Sequence, residues 1–418
     1  MALEIPLQVD LDHRRMTVGG EPLVFHCHHY NTFLQRTILD AEGVDAKPFL
    51  VGAAAECSHS QLAKAFAELS LSEVEARKEL AADIYRWSGF GTLDLSTLGP
   101  EGGATETPNG HYGMGWKAKW GPSETPLDFF TTGWLAGAMA AIYDQPLGSF
   151  SATQTSCVSQ AEGGTSRYEL ALGEANYTVF SGENAGVGVG RLSERHEIRE
   201  IPATSVDYEG ILSAVAGLDL AGDAQGIANA FGVYLTRHFA NYYNRVSFEL
   251  TRALQAAYGE TGLKVAEPLM VEAGHVCAFN TFGGIMSSTE WDALIRPTLK
   301  TPEDWVHGMM AVVNAFGWGR WQVTKVGPDE AEFVIHDDYE SSGYVGMYGE
   351  ASHPVSWLAQ GGAAGVMNLV YVGGIQDKPA LTEEFYQRTF RSADVYRATP
   401  LTSQAMGDPV TSFRVTRG

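Results

Sequence analysis

The sequence predicts an α+β fold made twice: two similar units forming a pseudo-dimer, joined by a helical segment. Three observations predict it. Gly89, Gly91, Gly99, Pro100, Gly115, Gly121, Pro126, Gly133, Ala136, Gly137, Met139 and Tyr143 recur without a gap as Gly317, Gly319, Gly327, Pro328, Gly343, Gly349, Pro354, Gly361, Ala364, Gly365, Met367 and Tyr371. Each lies 228 positions after its counterpart, as Gly317 does after Gly89 and Tyr371 after Tyr143. Most matches are Gly and Pro, which set turns and close backbone approaches, so the repeat is one of structure. Within each copy, helical periodicity alternates with paired strand patterns. Between the copies, Asp207–Tyr258 turns helical, with Ile227, Phe231, Leu235, His238, Tyr242, Val246 and Leu250 as an apolar stripe.

The division that follows is 1–171 for the first unit with its lead segment, 172–262 for a Gly-rich stretch and central helical linker, and 263–418 for the second unit. In chain order, the lead carries Glu21-Pro22-Leu23, which returns as Glu267-Pro268-Leu269. His26 to Phe33 then aligns with His275 to Phe282, and the first copy holds extra residues over 42–75. Gln61–Trp87 spaces Leu62, Phe66, Leu69, Val74, Leu80 and Ile84 for a helix. Gly91–Leu98 and Gly319–Val326 alternate as strands and meet Gly-Pro-Glu or Gly-Pro-Asp turns. Pro126–Tyr143 and Pro354–Tyr371 are predicted helices whose Gly and Ala pack tightly on a sheet. Ala152–Leu170 and Ala398–Val415 close each copy as hairpins, with Gly163 and Gly407 at the turns. The run Gly182–Gly190 fits no phosphate-loop or dinucleotide pattern and is expected as a loop or strand edge.

Composition narrows the classes. The chain has 418 residues, 44% hydrophobic and 19% charged, which suits two or three globular domains. Fifty acidic against 28 basic residues leave a net charge of −22, which repels nucleic acid and anionic membranes. Cys27, Cys57, Cys157 and Cys277 form no disulfide framework, and the start lacks a secretory signal pattern. The apolar stretch from Trp134 to Tyr143 is too short to cross a bilayer. A soluble cytoplasmic protein with reduced thiols is expected. The acidic run Asp337-Asp338 with Glu340 reads as a solvated turn.

The blocks NGHYGMGWKAKWG, PLDFFTTGWLAGAMAAIYDQP and ATQTSCVSQAEGGTSRYEL resemble the vinyl-4-reductase domain family, over about 80–171. The second copy keeps the pattern in SGYVGMYG, HPVSWLAQGGAAGVMNLVY and ATPLTSQAMGDPVTSFRV, over about 308–416. The resemblance implies two tandem ligand-binding units with an apolar pocket between helices and sheet. Pocket aromatics would then be Trp116, Trp120, Phe129 and Trp134 in one copy, and Tyr344, Tyr348 and Trp357 in the other, with Tyr242 from the central segment. Family members often hold zinc with paired cysteines on the closing hairpin. Here Cys157 matches the first, Thr165 stands near the second, and Ser403 replaces the cysteine in the second copy.

His26, His28 and His29, with His275 and Cys277, are the most chemically loaded cluster. On a strand, His26 and His28 share a face, as do His275 and Cys277; on a helix, His26, His29 and Tyr30 do. Imidazole and thiolate are ligands for a divalent metal, iron or zinc. Histidines beside a helix start also serve structural roles by capping backbone groups. His238, on the predicted central stripe, is either a core residue or a partner of the His26/His28 pair in metal ligation or proton transfer. His26, His28, His238 and Cys277 are therefore the candidate catalytic set. The function expected is a metal-assisted or histidine-dependent enzyme acting on a small hydrophobic or aromatic substrate. The alternative is a non-catalytic binding, carrier or sensor protein for a hydrophobic or tetrapyrrole-like ligand, and a third reading is an assembly subunit. Partners are a small hydrophobic molecule and a second copy as a homodimer, without nucleic acid or membrane.

Overall fold

The computed structural model describes residues 4–180 and 204–418, so the run Gly182–Gly190 lies outside the described residues. The chain opens with β1 (Leu7–Asp10), β2 (Arg15–Val18) and β3 (Glu21–Cys27), then α1 (His28–Leu39), α2 (Lys47–Glu68) and α3 (Val74–Trp87). β4 (Leu98–Gly99), β5 (Gly102–Thr107), α4 (His111–Trp120), α5 (Phe129–Ile142), β6 (Phe150–Ser156) and β7 (Ser166–Leu172) follow. Next come α6 (Tyr208–Ala216), β8 (Ala228–Ala230), β9 (Val233–Phe239), α7 (Ala240–Tyr258) and α8 (Glu260–Cys277). The remainder is α9 (Gly283–Ser287), α10 (Thr289–Leu294), α11 (Pro302–Val313), β10 (Arg320–Val326), β11 (Glu330–His336), α12 (Tyr339–Tyr348), α13 (Trp357–Met367), α14 (Glu383–Phe390), β12 (Tyr396–Thr402) and β13 (Thr411–Arg417).

Three antiparallel sheets result, so the fold is α+β as predicted. Two have four strands and matching orders, β4-β5-β7-β6 and β10-β11-β13-β12. The third, β1-β2-β3-β9-β8, joins the halves, because β3 pairs antiparallel with β9. The two inner strands are related by a second spacing: Leu235, His238 and Ala240 stand 212 positions after Leu23, His26 and His28. Their surroundings repeat as well. Phe25 N–H donates to Phe316 O and Arg237 N–H to Ser88 O, each at 2.9 Å. The strands run so close to the neighbouring turns that only Gly fits there. Gly89, at φ +90, would place a Cβ 2.5 Å from Leu235 O, and Gly317, at φ +82, would overlap Leu23 O.

The helices following these strands also correspond. α1 lies against α4 and α7 against α12, while α2 packs on α5 and α8 packs on α13. In the last two pairs the backbones nearly touch: a Cβ on Gly133 would overlap Val51 O, and one on Gly361 would overlap Val271 O.

Several sequence expectations need correction. Glu267-Pro268-Leu269 lies inside helix α8, whereas Glu21-Pro22-Leu23 lies in strand β3, so the lead alignment of 21–33 with 267–282 fails. A three-residue match does not distinguish a strand from a helix; the counterpart of β3–α1 is β9–α7. The segment 172–262 therefore contains β8 and β9 as well as helices, and its long helix α7 corresponds to α1 of the first copy. Ile227, Phe231, Leu235 and His238 are not on a helix: the first two flank β8, and the last two sit in β9. Alternating residues of a buried strand also bury apolar groups, which a helical count absorbs. Gln61–Trp87 is split into α2 and α3, with Ser70 at φ +53 between them. Gly91–Leu98 forms almost no strand, unlike its counterpart β10. Asp337 and Asp338 are fully buried rather than solvated, and Asp338 caps α12 through Glu340 N–H and Ser341 N–H. The helices α5 and α13 and both closing hairpins stand where the sequence places them. Among the described residues no helix is long and apolar enough to cross a membrane.

Candidate functional site

At the β3–β9 seam the chain buries a ring of histidines and tyrosines. His26 and His238 are completely buried. The His26 ring lies 4.4 Å from Tyr30, 4.7 Å from Trp318 and 4.8 Å from Tyr243. The His238 ring lies 4.3 Å from Phe130, 4.5 Å from Tyr243 and 4.8 Å from Tyr242. Tyr243 thus touches both histidines. Its hydroxyl donates to Asn31 Oδ1 at 2.5 Å, and Asn31 Nδ2 lies 2.9 Å from His111 Nε2. Tyr112 OH and His238 Nε2 are 2.9 Å apart. On the other flank Cys277 Sγ stands 3.6 Å from His26 Nδ1, and Thr281 Oγ1 donates to Cys27 Sγ at 3.0 Å. His26 Nε2 and His111 Nδ1 have no hydrogen-bond partner among the described residues.

Burial decides the charge state here. Desolvation holds His26 and His238 well below the ordinary imidazole value and pulls His111 down to about 3. The same desolvation pushes the Cys277 thiol well above its usual value. His26 and Cys277 therefore face each other as neutral imidazole and thiol, not as the ion pair that makes a cysteine nucleophilic.

The stability of the fold inherits a pH dependence. His28, at about 4, and His29, at about 3, are depressed along with the three rings above, chiefly by burial. A histidine with a lowered folded value binds fewer protons than in the unfolded chain, so its contribution is complete above about pH 6.5 and lost on acidification. Glu21, raised to about 8 by burial, and Glu340, raised as well, act in the opposite sense. The histidines outnumber them. The urea midpoint should fall continuously between about pH 6.5 and 4.5; a midpoint that is flat or rises over that window would mean the rings are hydrated.

A second site lies at the surface between the halves. α1 and the end of α4 form one wall, and α8, its continuation Ala278–Phe282 and α14 form the other, enclosing a cleft of about 790 Å³. Ala278–Phe282 is a π-helical turn, a widening of the helix often found at binding sites. It places Phe279 and Asn280 on the cleft. Phe33 and Trp120 face them from the first half, and Tyr386 completes the far wall. Lys119 lies along the near wall. Its ammonium is 5.0 Å from the Trp120 ring centre, 5.2 Å from that of Phe33, and donates to His29 O at 3.4 Å. Burial lowers the amine to about 8.

The structure disperses the proposed metal set. His26 and Cys277 meet, and His238 joins them through Tyr243. His28 instead accepts the Tyr234 N–H at its Nδ1, at 3.1 Å, with its ring 3.9 Å from His29. His29 lines the cleft, while His275 pairs with Glu272 at 3.3 Å beside Phe390. Among the described residues no three His, Cys, Asp or Glu side chains are arranged to hold a metal. The closing-hairpin zinc position does not fit either: Cys157 Sγ accepts from Ser159 Oγ at 3.0 Å, and Thr165 and Ser403 offer no second thiolate.

The proposed pocket aromatics also part company. Trp134 and Trp357 are fully buried core residues, and Tyr242 packs on His238. Trp116 and Trp120 meet at a tilt with ring centres 4.6 Å apart, and Trp120 alone of the set lines the cleft. Phe129 lies under Lys47, and Tyr344 and Tyr348 cluster around Phe248. Sequence reasoning missed Lys119, Phe279 and Tyr386 in the cleft and Tyr243 at the seam. A signal for the seam exists: His26 and His238 are each followed four positions on by a tyrosine, Tyr30 and Tyr242.

No protein-family model matches the chain, and no curated protein matches it. Part of it is similar in structure to the crystal structure of the phenol-responsive sensory domain of the transcription activator PoxR with phenol. The likeness has a TM-score of 0.30 at 14% identity and covers 41% of this chain and 74% of that one.

Proposed function

We propose that the protein binds a small aromatic molecule, without transforming it, in the cleft between its halves. One observation carries this reading: aromatic walls from both halves, Phe33 and Trp120 against Phe279 and Tyr386, enclose about 790 Å³, the size of a small-ligand site. The chemistry elsewhere agrees. The His26–Cys277 pair is neutral and shut away from solvent, so the catalytic reading lacks an activated group. Because each half supplies one wall, a bound ring would link them, which is the arrangement a sensor or carrier needs.

Phenol is the probe for the test. Titrating it into the full-length protein should quench tryptophan fluorescence saturably, through Trp120. Phe279→Ala removes the facing ring and should weaken binding about 10-fold, the equivalent of roughly 1.4 kcal/mol, measured by calorimetry. Unsaturable quenching, or an affinity unchanged by Phe279→Ala, would move the ligand out of this cleft.

A further inference from the structure

We propose that the cleft selects an aromatic acid ionised at neutral pH and seats its carboxylate on Lys119. The inference rests on the cleft being the ligand site and names the ligand class. Its starting point is that Lys119, unlike Arg36 and Arg391, has no carboxylate within ion-pair distance among the described residues. Two acids of the cleft are held in ion pairs: Asp40 with Arg36 at 3.3 Å, and Glu272 with His275 and Arg391. Glu383 accepts from Gln387 at 2.7 Å. On α4 the neighbouring Lys117 pairs with Glu162 at 3.0 Å. Lys119 makes no ion pair among the described residues, and its one polar contact is the long bond to His29 O.

A cation held against two aromatic faces, partly withdrawn from water and with no carboxylate in ion-pair range, is costly. The ring faces of Phe33 and Trp120 relieve part of that cost. A carboxylate entering the cleft relieves the rest, while its aromatic body lies on the same rings. Arg36 supplies a second cation at this end. Its guanidinium sits 5.1 Å over the Trp120 ring, and its present partner Asp40 is solvent-exposed and readily exchanged. A neutral aromatic would fill the volume and leave the ammonium uncompensated.

The groups that set the proton on Lys119 are all in place. Burial, first, and Arg36 oppose the ammonium, and Glu383 favours it; Cys27 does so only as a thiolate, and burial raises its thiol. His29, Asp40, Glu272, Tyr386 and Arg391 are the remaining titratable groups of the cleft. With the amine at about 8 in the empty cleft, the ammonium is ready at pH 7; at pH 9 a carboxylate must first draw a proton onto it, so the preference weakens as pH rises.

The test compares benzoate with benzamide, the uncharged molecule of the same shape, by calorimetry on the full-length protein. Benzoate should bind at least 10-fold more tightly at pH 7, and the preference should shrink at pH 9. Lys119→Met should abolish the preference while benzamide affinity stays within 3-fold, and Lys119→Arg should retain it. Equal affinity of the two probes, or a preference that survives Lys119→Met, overturns the charge assignment and leaves the cleft as an aromatic site. If neither probe binds, the cleft reading falls as well.

Discussion

Replacing Arg245 with methionine should lower folding stability by about 3–5 kcal/mol, the cost of removing one member of a buried ion pair. Arg245 of α7 grips Glu56 of α2 in a two-pronged bond, Nε to Oε2 at 2.9 Å and Nη2 to Oε1 at 2.7 Å. Both side chains are only 6% exposed. Tyr348 OH accepts from Nη1 at 3.1 Å, and the Phe180 ring lies 4.4 Å from the guanidinium centre. Removing the cation leaves Glu56 without that bidentate partner in a low-dielectric setting. Removing both charges, as in Glu56→Leu with Arg245→Met, should restore most of the stability, because two apolar side chains need no solvation. Urea unfolding of the two variants decides it. A single-variant loss below about 1 kcal/mol would place the pair among solvent-screened surface bridges.

Gly137→Val should be the next most damaging change, costing roughly 3 kcal/mol, at the upper end for overpacking. A Cβ on Gly137 would overlap both Ala55 O and Ser58 Oγ, so α5 would have to move away from α2. Backbone atoms cannot step aside as a flexible side chain does. Gly365→Val in α13 should behave alike, since its Cβ would overlap Ala278 Cβ. Gly327→Ala is the control: it belongs to the same repeat, but nothing lies within 4 Å of the added carbon, and its stability should stay within about 0.5 kcal/mol of the parent. Thermal unfolding of all three gives the comparison. If Gly327→Ala proves as costly as Gly137→Val, helix–helix contact is not what the repeated glycines serve.

The sites were legible to different degrees, for reasons visible in single residues. His26, His238 and Cys277 stood out by residue type, and the fold does bring them to one seam. Their roles were not legible, because a histidine's chemistry depends on water: the sealed rings of His26 and His238 are neutral, while His29 lies at a cleft. Lys119 was invisible for the opposite reason. Nothing in Lys-Ala-Lys distinguishes it from Lys117, which reaches Glu162 at the surface, until α1 and α4 bring Phe33 and Trp120 around one of the two. Asp338 likewise reads as a surface acid until the capped end of α12 is seen to be buried.

By itself the sequence determined the duplication, the α+β class, the tight helices α5 and α13 and the hairpins that close each copy. These depend on neighbours close in the chain and on glycines whose conformation or size is their function. Only the tertiary structure decided that β3 pairs with β9, that α7 and α8 repeat α1 and α2, and that a cleft opens between the halves. Strand pairing across some two hundred residues leaves no local period, and a cavity is a property of surfaces that meet only after folding.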